Sequence, residues 1–248
     1  MPKLQRYEQK IRKYKEKLKI LITRIGISYP KEFELIDDVS ENLILPCHLG
    51  ILFFGDFDII YFEKIKNHLN QVFGSFFLDI RNLGVYNFSS KIFSKGVKKE
   101  YKEMKKPTNK IRIHPTNKFY QILIDERIKK NLGMIIAITN LPIYSSNNDN
   151  ILFLYGEAHL KHRCAVISSY ELKENYYNTP ENHSVFEKRV FKEICHEVGH
   201  LILGPDHCHD NLCVMRFSNE INEIDKKSSG FCYKCEMKLN EIRKKSNF

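Results

Sequence analysis

Long apolar segments are missing from this 248-residue sequence, and their absence excludes several classes of protein. No apolar run approaches the roughly 18–20 residues that a membrane-spanning helix needs, so an integral membrane protein is not expected. The N-terminal residues are charged throughout and lack the apolar stretch of a secretory signal. Internal repeats and low-complexity linkers are also missing. We therefore predict an intracellular protein, cytoplasmic with a nuclear location left open, of one large domain or two small ones.

An even cysteine count, the usual sign of a disulfide framework, is missing too. The chain has seven cysteines, and thiols stay reduced inside cells. The cysteines are therefore expected to be metal ligands or inert thiols rather than disulfide partners. Cys164 and Cys195 lie within apolar patterns, which favours a place in the core.

The net charge of +10 is concentrated in two segments of the chain. Residues 1–25 carry a net charge of +7 and residues 95–130 one of +8, so the remainder nets −5. Within residues 95–118, Tyr101 is the single aromatic residue, unlike the repeated aromatics of proteins that bind single-stranded nucleic acid. We predict a basic helical extension over 1–25 and an exposed basic insertion loop over 95–118, and we do not expect a nucleic-acid partner.

Apolar patterns elsewhere in the chain alternate between strand and helix. Short apolar runs predict buried strands, whereas apolar residues at steps of three or four predict helices. The predicted strands are Ile51–Gly55, Phe76–Ile80, Met134–Thr139, Ile151–Tyr155 and Cys164–Ser168, and the predicted helices include Ile59–Phe73, Lys118–Leu132 and Lys234–Lys245.

A further, longer helix is predicted upstream of Gly204. Thr179 can cap its start, and Pro180 suits its first turn. Apolar residues from 186 to 202 recur with helical spacing and form a stripe that can be buried. Gly204 suits the left-handed conformation that follows a helix end, and Pro205 cannot continue the helix.

The motif HEVGH lies near the end of this helix, at residues 196–200. His196 and His200 share one helix face, so both can present a ring nitrogen to one zinc ion. Glu197 can reach a water molecule activated by that ion and can take its proton. The motif therefore predicts a catalytic zinc site with Glu197 as general base.

A catalytic zinc site needs a third protein ligand. In the string HEVGHLILGPDH, His207 follows the glycine that ends the helix, where the chain can turn back toward the metal. His209 is two residues further on, and Asp206 offers a carboxylate oxygen. His207 is the preferred candidate, with His209 and Asp206 as alternatives.

Four cysteines form a second metal-binding pattern. Cys208 and Cys213 enclose four residues, Cys232 and Cys235 enclose two, and 18 residues separate the two pairs. Two such pairs are typical of a structural zinc site with four thiolate ligands. Closing this site would stabilise loops that have little apolar core of their own.

Together, HEVGHLILGPDHCHDNLCVM and the later CYKC resemble the archaemetzincins, a family of metzincin-like zinc peptidases. The family pattern joins HExxH and a glycine to a third His directly followed by Cys, then C-x4-C-x-M and a distal CxxC. This resemblance assigns the general base to Glu197 and the Met-turn residue, beneath the catalytic zinc, to Met215. It assigns the catalytic-zinc ligands to His196, His200 and His207, and the structural-zinc ligands to Cys208, Cys213, Cys232 and Cys235.

The resemblance implies an α+β, metzincin-like (zincin) domain over residues 48–248. We expect a mixed, mostly parallel twisted sheet, the long HExxH helix, and a small C-terminal part over 204–248 that holds the four-Cys zinc. Ile151–Tyr155 would be an antiparallel edge strand along which an extended peptide pairs, with residues 156–158 lining the cleft. The implied activity is hydrolysis of a peptide or protein substrate by a zinc metallopeptidase with two zinc ions, one catalytic and one structural.

Two spacings differ from the family pattern. The 16 residues between Met215 and Cys232 are one fewer than usual, which a loop tolerates easily. The family has two residues between its second His and the glycine, whereas residues 201–203 provide three here. His207 therefore comes one position later, which a one-residue bulge at the helix end would absorb. This difference motivates an alternative function, a weakly active or inactive zinc protein that binds a peptide or another partner. The substrate and the oligomeric state are not indicated by the sequence.

Overall fold

The protein is described by a computed structural model that covers residues 25–28, 43–55, 59–86, 100–102, 110–146 and 153–246. The helix predicted over residues 1–25 lies outside this range except for its last residue. Of the insertion predicted over residues 95–118, residues 95–99 and 103–109 also lie outside it.

Ten strands and five α-helices are found in these segments. The strands are β1 (Ile25–Ser28), β2 (Cys47–Phe54), β3 (Phe77–Val85), β4 (Glu100–Lys102), β5 (Lys110–Arg112), β6 (His114–Pro115), β7 (Met134–Thr139), β8 (Ile143–Tyr144), β9 (Gly156–His159) and β10 (Cys164–Ser168). The helices are α1 (Ile59–Phe73), α2 (Thr116–Lys129), α3 (His183–Leu203), α4 (Ile221–Lys226) and α5 (Tyr233–Lys245).

Six of the strands form one sheet in the order β1-β9-β10-β7-β2-β3. Neighbouring strands are parallel in every pair except β9 and β10, which run antiparallel. The predicted mixed, mostly parallel sheet is therefore confirmed. β7 is buried along its whole length, as expected for a continuous apolar run in a sheet that is covered on both faces.

The two faces of the sheet bury alternate residues of the same strand. Leu49, Ile51 and Phe53 of β2 belong to the cluster that includes α1, α3 and α5. Leu52 and Phe54 belong to a second cluster that includes α2. This alternation is the period of two that a strand imposes on its side chains. None of the helices described combines the length and apolar character that crossing a membrane requires.

The strand predicted over Ile151–Tyr155 is placed differently in the structure. The antiparallel strand is β9, which begins at Gly156 and pairs with β10. Leu154 forms only an isolated bridge with Ile143. The prediction of an edge strand is also wrong, because β1 pairs along the other side of β9. Residues far apart in sequence make this pairing, so the local apolar pattern did not indicate it.

The start of the long helix also differs from its prediction. α3 begins at His183, and its N-cap is Asn182, whose side chain accepts hydrogen bonds from the backbone N–H groups of Ser184 and Val185 at 3.1 and 3.2 Å. The Thr179 hydroxyl instead donates to the Glu174 carbonyl at 2.9 Å. Asn and Thr are both good N-cap residues, but the Thr179 hydroxyl is used by the turn at Glu174, which leaves Asn182 as the cap.

The exposed loop predicted over residues 95–118 is wrong at its C-terminal end. Ile113 and Thr116 are fully buried, and α2 already begins at Thr116. Before them, β4 and β5 pair as antiparallel strands. The Pro residues and charges of this segment suggested a loop, but the apolar Ile113 anchors its end to the core.

Candidate functional site

Helix α3 presents two histidines to one point. His196 and His200 are fully buried, and their Nε2 atoms lie 3.0 Å apart. The Nδ1–H group of His196 donates to the Val214 carbonyl at 2.7 Å, and that of His200 donates to the Gly204 carbonyl at 2.9 Å. These bonds select the tautomer whose Nε2 lone pair is free, which is the arrangement that orients metal-binding histidines.

His207 joins this pair from the loop after α3. Its ring centroid lies 5.3 Å from that of His196 and 4.7 Å from that of His200. The ring edge packs against Phe217, at a centroid distance of 5.1 Å. The buried Nε2 atom of His207 has no hydrogen-bond partner among the described residues, so it is available as a ligand atom.

The chain reaches His207 without the bulge that was predicted. α3 continues as a regular helix through Leu203, and the Gly204 N–H group donates to the His200 carbonyl at 3.0 Å. Gly204 then turns the chain with a φ of +95°, a value that residues with a Cβ rarely adopt. The extra residue therefore lengthens the helix by one position.

The alternative third ligands lie elsewhere. His209 and Asp206 are exposed, and neither belongs to the groups that could hold a metal ion in the described part of the chain. In the group that is found, one ligand atom each from His196, His200 and His207 lies within 4.8 Å of the others. Zinc–nitrogen bonds of ~2.0–2.1 Å place tetrahedral ligands roughly 3.4 Å apart, so the three rings fit one zinc ion.

Burial keeps the three histidines in the form that binds metal. It lowers the pKa of His196 well below the usual value, that of His200 to about 3 and that of His207 to about 4. The charge of Lys227 lowers all three pKa values further. The rings are therefore neutral near pH 7, with lone pairs free to coordinate.

The carboxylate of Glu197 lies in the same buried space. Neither of its oxygens has a hydrogen-bond partner among the residues described. A Cβ atom at Gly156 would stand 2.5 Å from its Oε1 atom, so the close approach of β9 depends on this glycine. Burial first, then the charges of Glu193 and Glu157, raise the pKa of Glu197 well above its usual value.

An ion pair that the sequence analysis missed lies beside Glu197. Lys227 donates to Glu193 Oε1 at 3.3 Å and to the Arg216 carbonyl at 3.1 Å, and both charged side chains are fully buried. Glu193 lies one helical turn before Glu197, so its position four residues upstream could have indicated a second acid on the same helix face. The sequence around Lys227 gives no indication of this ion pair, because the position of Lys227 depends on how the chain folds after α4.

Of the three residues predicted to line the cleft, Gly156 lies against the Glu197 carboxylate. The side chain of Glu157 is buried and accepts hydrogen bonds from the Ser145 hydroxyl at 2.6 Å and the Tyr120 hydroxyl at 3.0 Å. Burial raises the pKa of Glu157. This buried polar group therefore anchors β9 to α2 and to the segment after β8.

The four predicted cysteine ligands also converge. The Sγ atoms of Cys208, Cys213, Cys232 and Cys235 lie within 4.8 Å of one another, and those of Cys208 and Cys232 are 3.6 Å apart without a disulfide. Zinc–sulfur bonds of ~2.3 Å place tetrahedral ligands roughly 3.8 Å apart, which this spacing matches. Backbone N–H groups of Asp210 and Cys232 donate to two of the sulfurs at 3.4 and 3.3 Å.

One short segment connects the two groups. Cys213 contributes a thiol to one group, and the next carbonyl, that of Val214, orients His196 in the other. Met215 then packs against α3 with its Sδ atom beside Gly199, where an added Cβ would have no room. The Met215 carbonyl also accepts a hydrogen bond from the Cys208 N–H group at 2.9 Å. The position of Met215 thus depends on both groups.

Comparisons with known proteins agree with this arrangement. Residues 114–241 match the sequence model described as peptidase family M54. An archaemetzincin of Methanocaldococcus jannaschii is 37% identical over 123 residues, which cover 50% of this chain and 66% of that protein. One from Saccharolobus solfataricus is 44% identical over 80 residues, covering 32% of this chain and 43% of that protein. The matches thus span between 43% and 66% of the length of these two curated relatives.

Solved structures extend the likeness to the fold. The archaemetzincin of Archaeoglobus fulgidus is 27% identical with a TM-score of 0.54, and the match covers 77% of this chain and 99% of that one. The archaemetzincin of Methanopyrus kandleri is 22% identical with a TM-score of 0.59, covering 84% and 99%. The resemblance to the archaemetzincins and the metzincin-like fold class are therefore confirmed. Because the family match covers more than half of the sequence, the chain belongs to peptidase family M54.

Proposed function

We propose that the protein is a zinc metallopeptidase that hydrolyses peptide bonds. His196, His200 and His207 would hold the catalytic ion, and Glu197 would be the general base. The observation that carries the proposal is the buried Glu197 carboxylate, which has no hydrogen-bond partner in the described part of the chain and lies beside three neutral histidines. A buried carboxylate without a partner is costly, and functional sites are where such cost is tolerated.

When bound, zinc would lower the pKa of a water molecule and polarise the substrate carbonyl. Glu197 would accept the proton of the attacking water at a carboxylate oxygen and later donate it to the leaving amine nitrogen. Burial strengthens Glu197 as a base by raising its pKa, whereas a zinc ion bound nearby would lower that pKa. The close approach of Gly156 would keep the carboxylate directed at the reacting water.

The four cysteines would hold a second, structural zinc ion, giving two ions per chain. Their thiolates would fix the segment that carries His207 and Met215. The substrate would be a peptide or protein of unidentified sequence. The basic extension over residues 1–25, the single domain over 48–248 and the cytoplasmic location stay predictions.

The first test is the variant Glu197→Gln, which keeps the shape and removes the base. Hydrolysis of a mixed peptide library should fall by roughly 10²–10⁴-fold, the usual contribution of a general base. Zinc content, measured by mass spectrometry, should stay at the wild-type level. Glu241→Gln, an exposed acid on α5, is the matched control. Cleavage that persists in Glu197→Gln would contradict the mechanism.

The second test identifies the third ligand. His207→Ala should lose one zinc ion and all peptide cleavage, whereas the exposed His209→Ala should lose neither. A wild-type protein that binds peptides without turnover, and whose zinc content is unchanged by His207→Ala, would instead support the alternative function of a non-catalytic binding module.

A further inference from the structure

β9 begins beside the general base. Gly156, the first residue of β9, lies against the carboxylate of Glu197. β10 pairs with one side of β9, and the opposite side therefore offers a second row of backbone N–H and C=O groups. An extended peptide that paired with this row would pass beside Glu197.

This row is already taken by the chain's own residues. Each of the four residues of β1 pairs with a residue of β9 in unbroken parallel register, from Ile25 with Gly156 to Ser28 with His159. The pairing covers β9 over its whole length. Because a strand edge accepts one partner at a time, a substrate backbone cannot use this edge while β1 remains there.

We propose that Ile25–Ser28 occupy the peptide-binding edge of the site, so that the chain competes with its own substrate. The proposal rests on the proposed function and adds a regulatory contact to it. It also defines the substrate geometry as an extended segment of about four residues, the length of β9. A folded loop or a helix would not replace β1 hydrogen bond for hydrogen bond.

The occupancy should be reversible. β1 has only four residues, and each backbone hydrogen bond contributes a small net free energy because water competes for it. The apparent affinity for substrate is then reduced by the fraction of molecules in which β9 is uncovered. Any change that releases β1 should raise activity without altering Glu197 or the histidines.

Two proline variants test the contact within the full-length protein. The N–H groups of neighbouring strand residues point in opposite directions, so one of Gly26→Pro and Ile27→Pro removes a hydrogen bond to β9. The other removes an N–H group that faces away and is the matched control. The first should raise kcat/KM on a mixed peptide substrate about tenfold. This corresponds to a decrease of ~1.4 kcal/mol in the free energy needed to remove β1 from β9. The second should stay near wild type.

Hydrogen–deuterium exchange gives a measurement that does not depend on activity. In the activating variant, amides of Gly156–His159 that face β1 should exchange faster, whereas those of β7 should be unchanged. An acetylated peptide of residues 22–31, added to this variant, should restore the protection and inhibit cleavage competitively. A scrambled peptide of the same composition should do neither.

The failures of the two proposals are distinguishable. If the wild type cleaves peptides but both proline variants match it in kcat/KM and in the exchange of Gly156–His159, the self-occupancy is refuted and the peptidase stands. If neither wild type nor variants cleave, the peptidase proposal fails. Hydrogen–deuterium exchange of Gly156–His159, measured with and without the acetylated 22–31 peptide, then still decides whether β1 occupies the edge.

Discussion

The two groups of candidate metal ligands differ in what holds their side chains in place. His196 and His200 belong to a 21-residue helix and are fully buried between the sheet and the C-terminal part. Cys208 and Cys232 are partly exposed and lie in loops. The helix and the core thus orient the histidines before any metal binds. Cys213 and Cys235 are buried in the core, so the dependence on the ion should be strongest for Cys208 and Cys232, which are partly exposed.

The difference matters because the second group supports the first. Val214 and Met215 lie between Cys213 and Cys232, and both contact the histidine-bearing turn of α3. Losing the cysteine site should therefore damage the histidine site, whereas the reverse damage should be small. Four predictions test this asymmetry.

The largest effect is expected from Cys232→Ser combined with Cys235→Ser. Structural zinc binding supplies ~10–16 kcal/mol of apparent free energy in small zinc domains, so losing two thiolates should unfold much of residues 204–246. Limited proteolysis should cut this part, and zinc analysis should show that the histidine site also binds more weakly. Cys47→Ala, outside the group, is the control. A double variant with normal activity and protease resistance would refute the dependence.

The ion pair of Lys227 and Glu193 connects α3 to the segment between the cysteine pairs. Lys227→Met leaves the Glu193 charge buried and alone, which should lower the free energy of unfolding by about 3–5 kcal/mol. Adding Glu193→Gln should recover part of that loss, because the unpaired charge is removed. Urea denaturation of the three variants checks this cycle. Strictly additive losses would mean that the two groups do not interact.

Gly199→Ala tests the contact between the Met-turn and the helix. The added methyl group would meet the Met215 sulfur, and overpacking of this kind costs ~1–3 kcal/mol. Thermal unfolding should show the loss, together with a reduced kcat. Gly230→Ala is the matched control, since nothing lies within 4 Å of its added Cβ. Equal thermal stability and equal kcat of the two variants would show that the contact between Met215 and Gly199 does not support the site.

The smallest effect concerns pH in the metal-free protein. Burial lowers the pKa of His200 to about 3 and of His207 to about 4, whereas in the unfolded chain both should have the ordinary histidine pKa of 6.5. The unfolded chain then binds more protons than the folded one below pH ~6.5, so the free energy of unfolding should decrease as pH falls, by roughly 1 kcal/mol per histidine between about pH 6.5 and 5.5. His207→Gln should show a shallower decrease in denaturation series at several pH values. Stability that rose on acidification would contradict the buried, neutral histidines.

Much of the fold could be predicted from local patterns. The predicted bounds of Ile59–Phe73, Met134–Thr139 and Cys164–Ser168 agree with those of the structure, because apolar periodicity directly reflects burial of one face or of both. The helix start was misplaced because Thr179 and Asn182 are both suitable caps. The strand at Gly156–His159 was missed because a Gly-Glu sequence carries no apolar signal.

The candidate site divides in the same way. Local spacing by itself determined that His196 and His200 share a face with Glu197 beside them, because four residues make about one helical turn. It also grouped four cysteines into two closely spaced pairs. Only the tertiary structure decided that His207 completes the group while His209 stays exposed, that Lys227 reaches Glu193, and that β1 covers β9. Each of these contacts joins segments whose separation in the chain says nothing about their distance in space, so packing had to determine them.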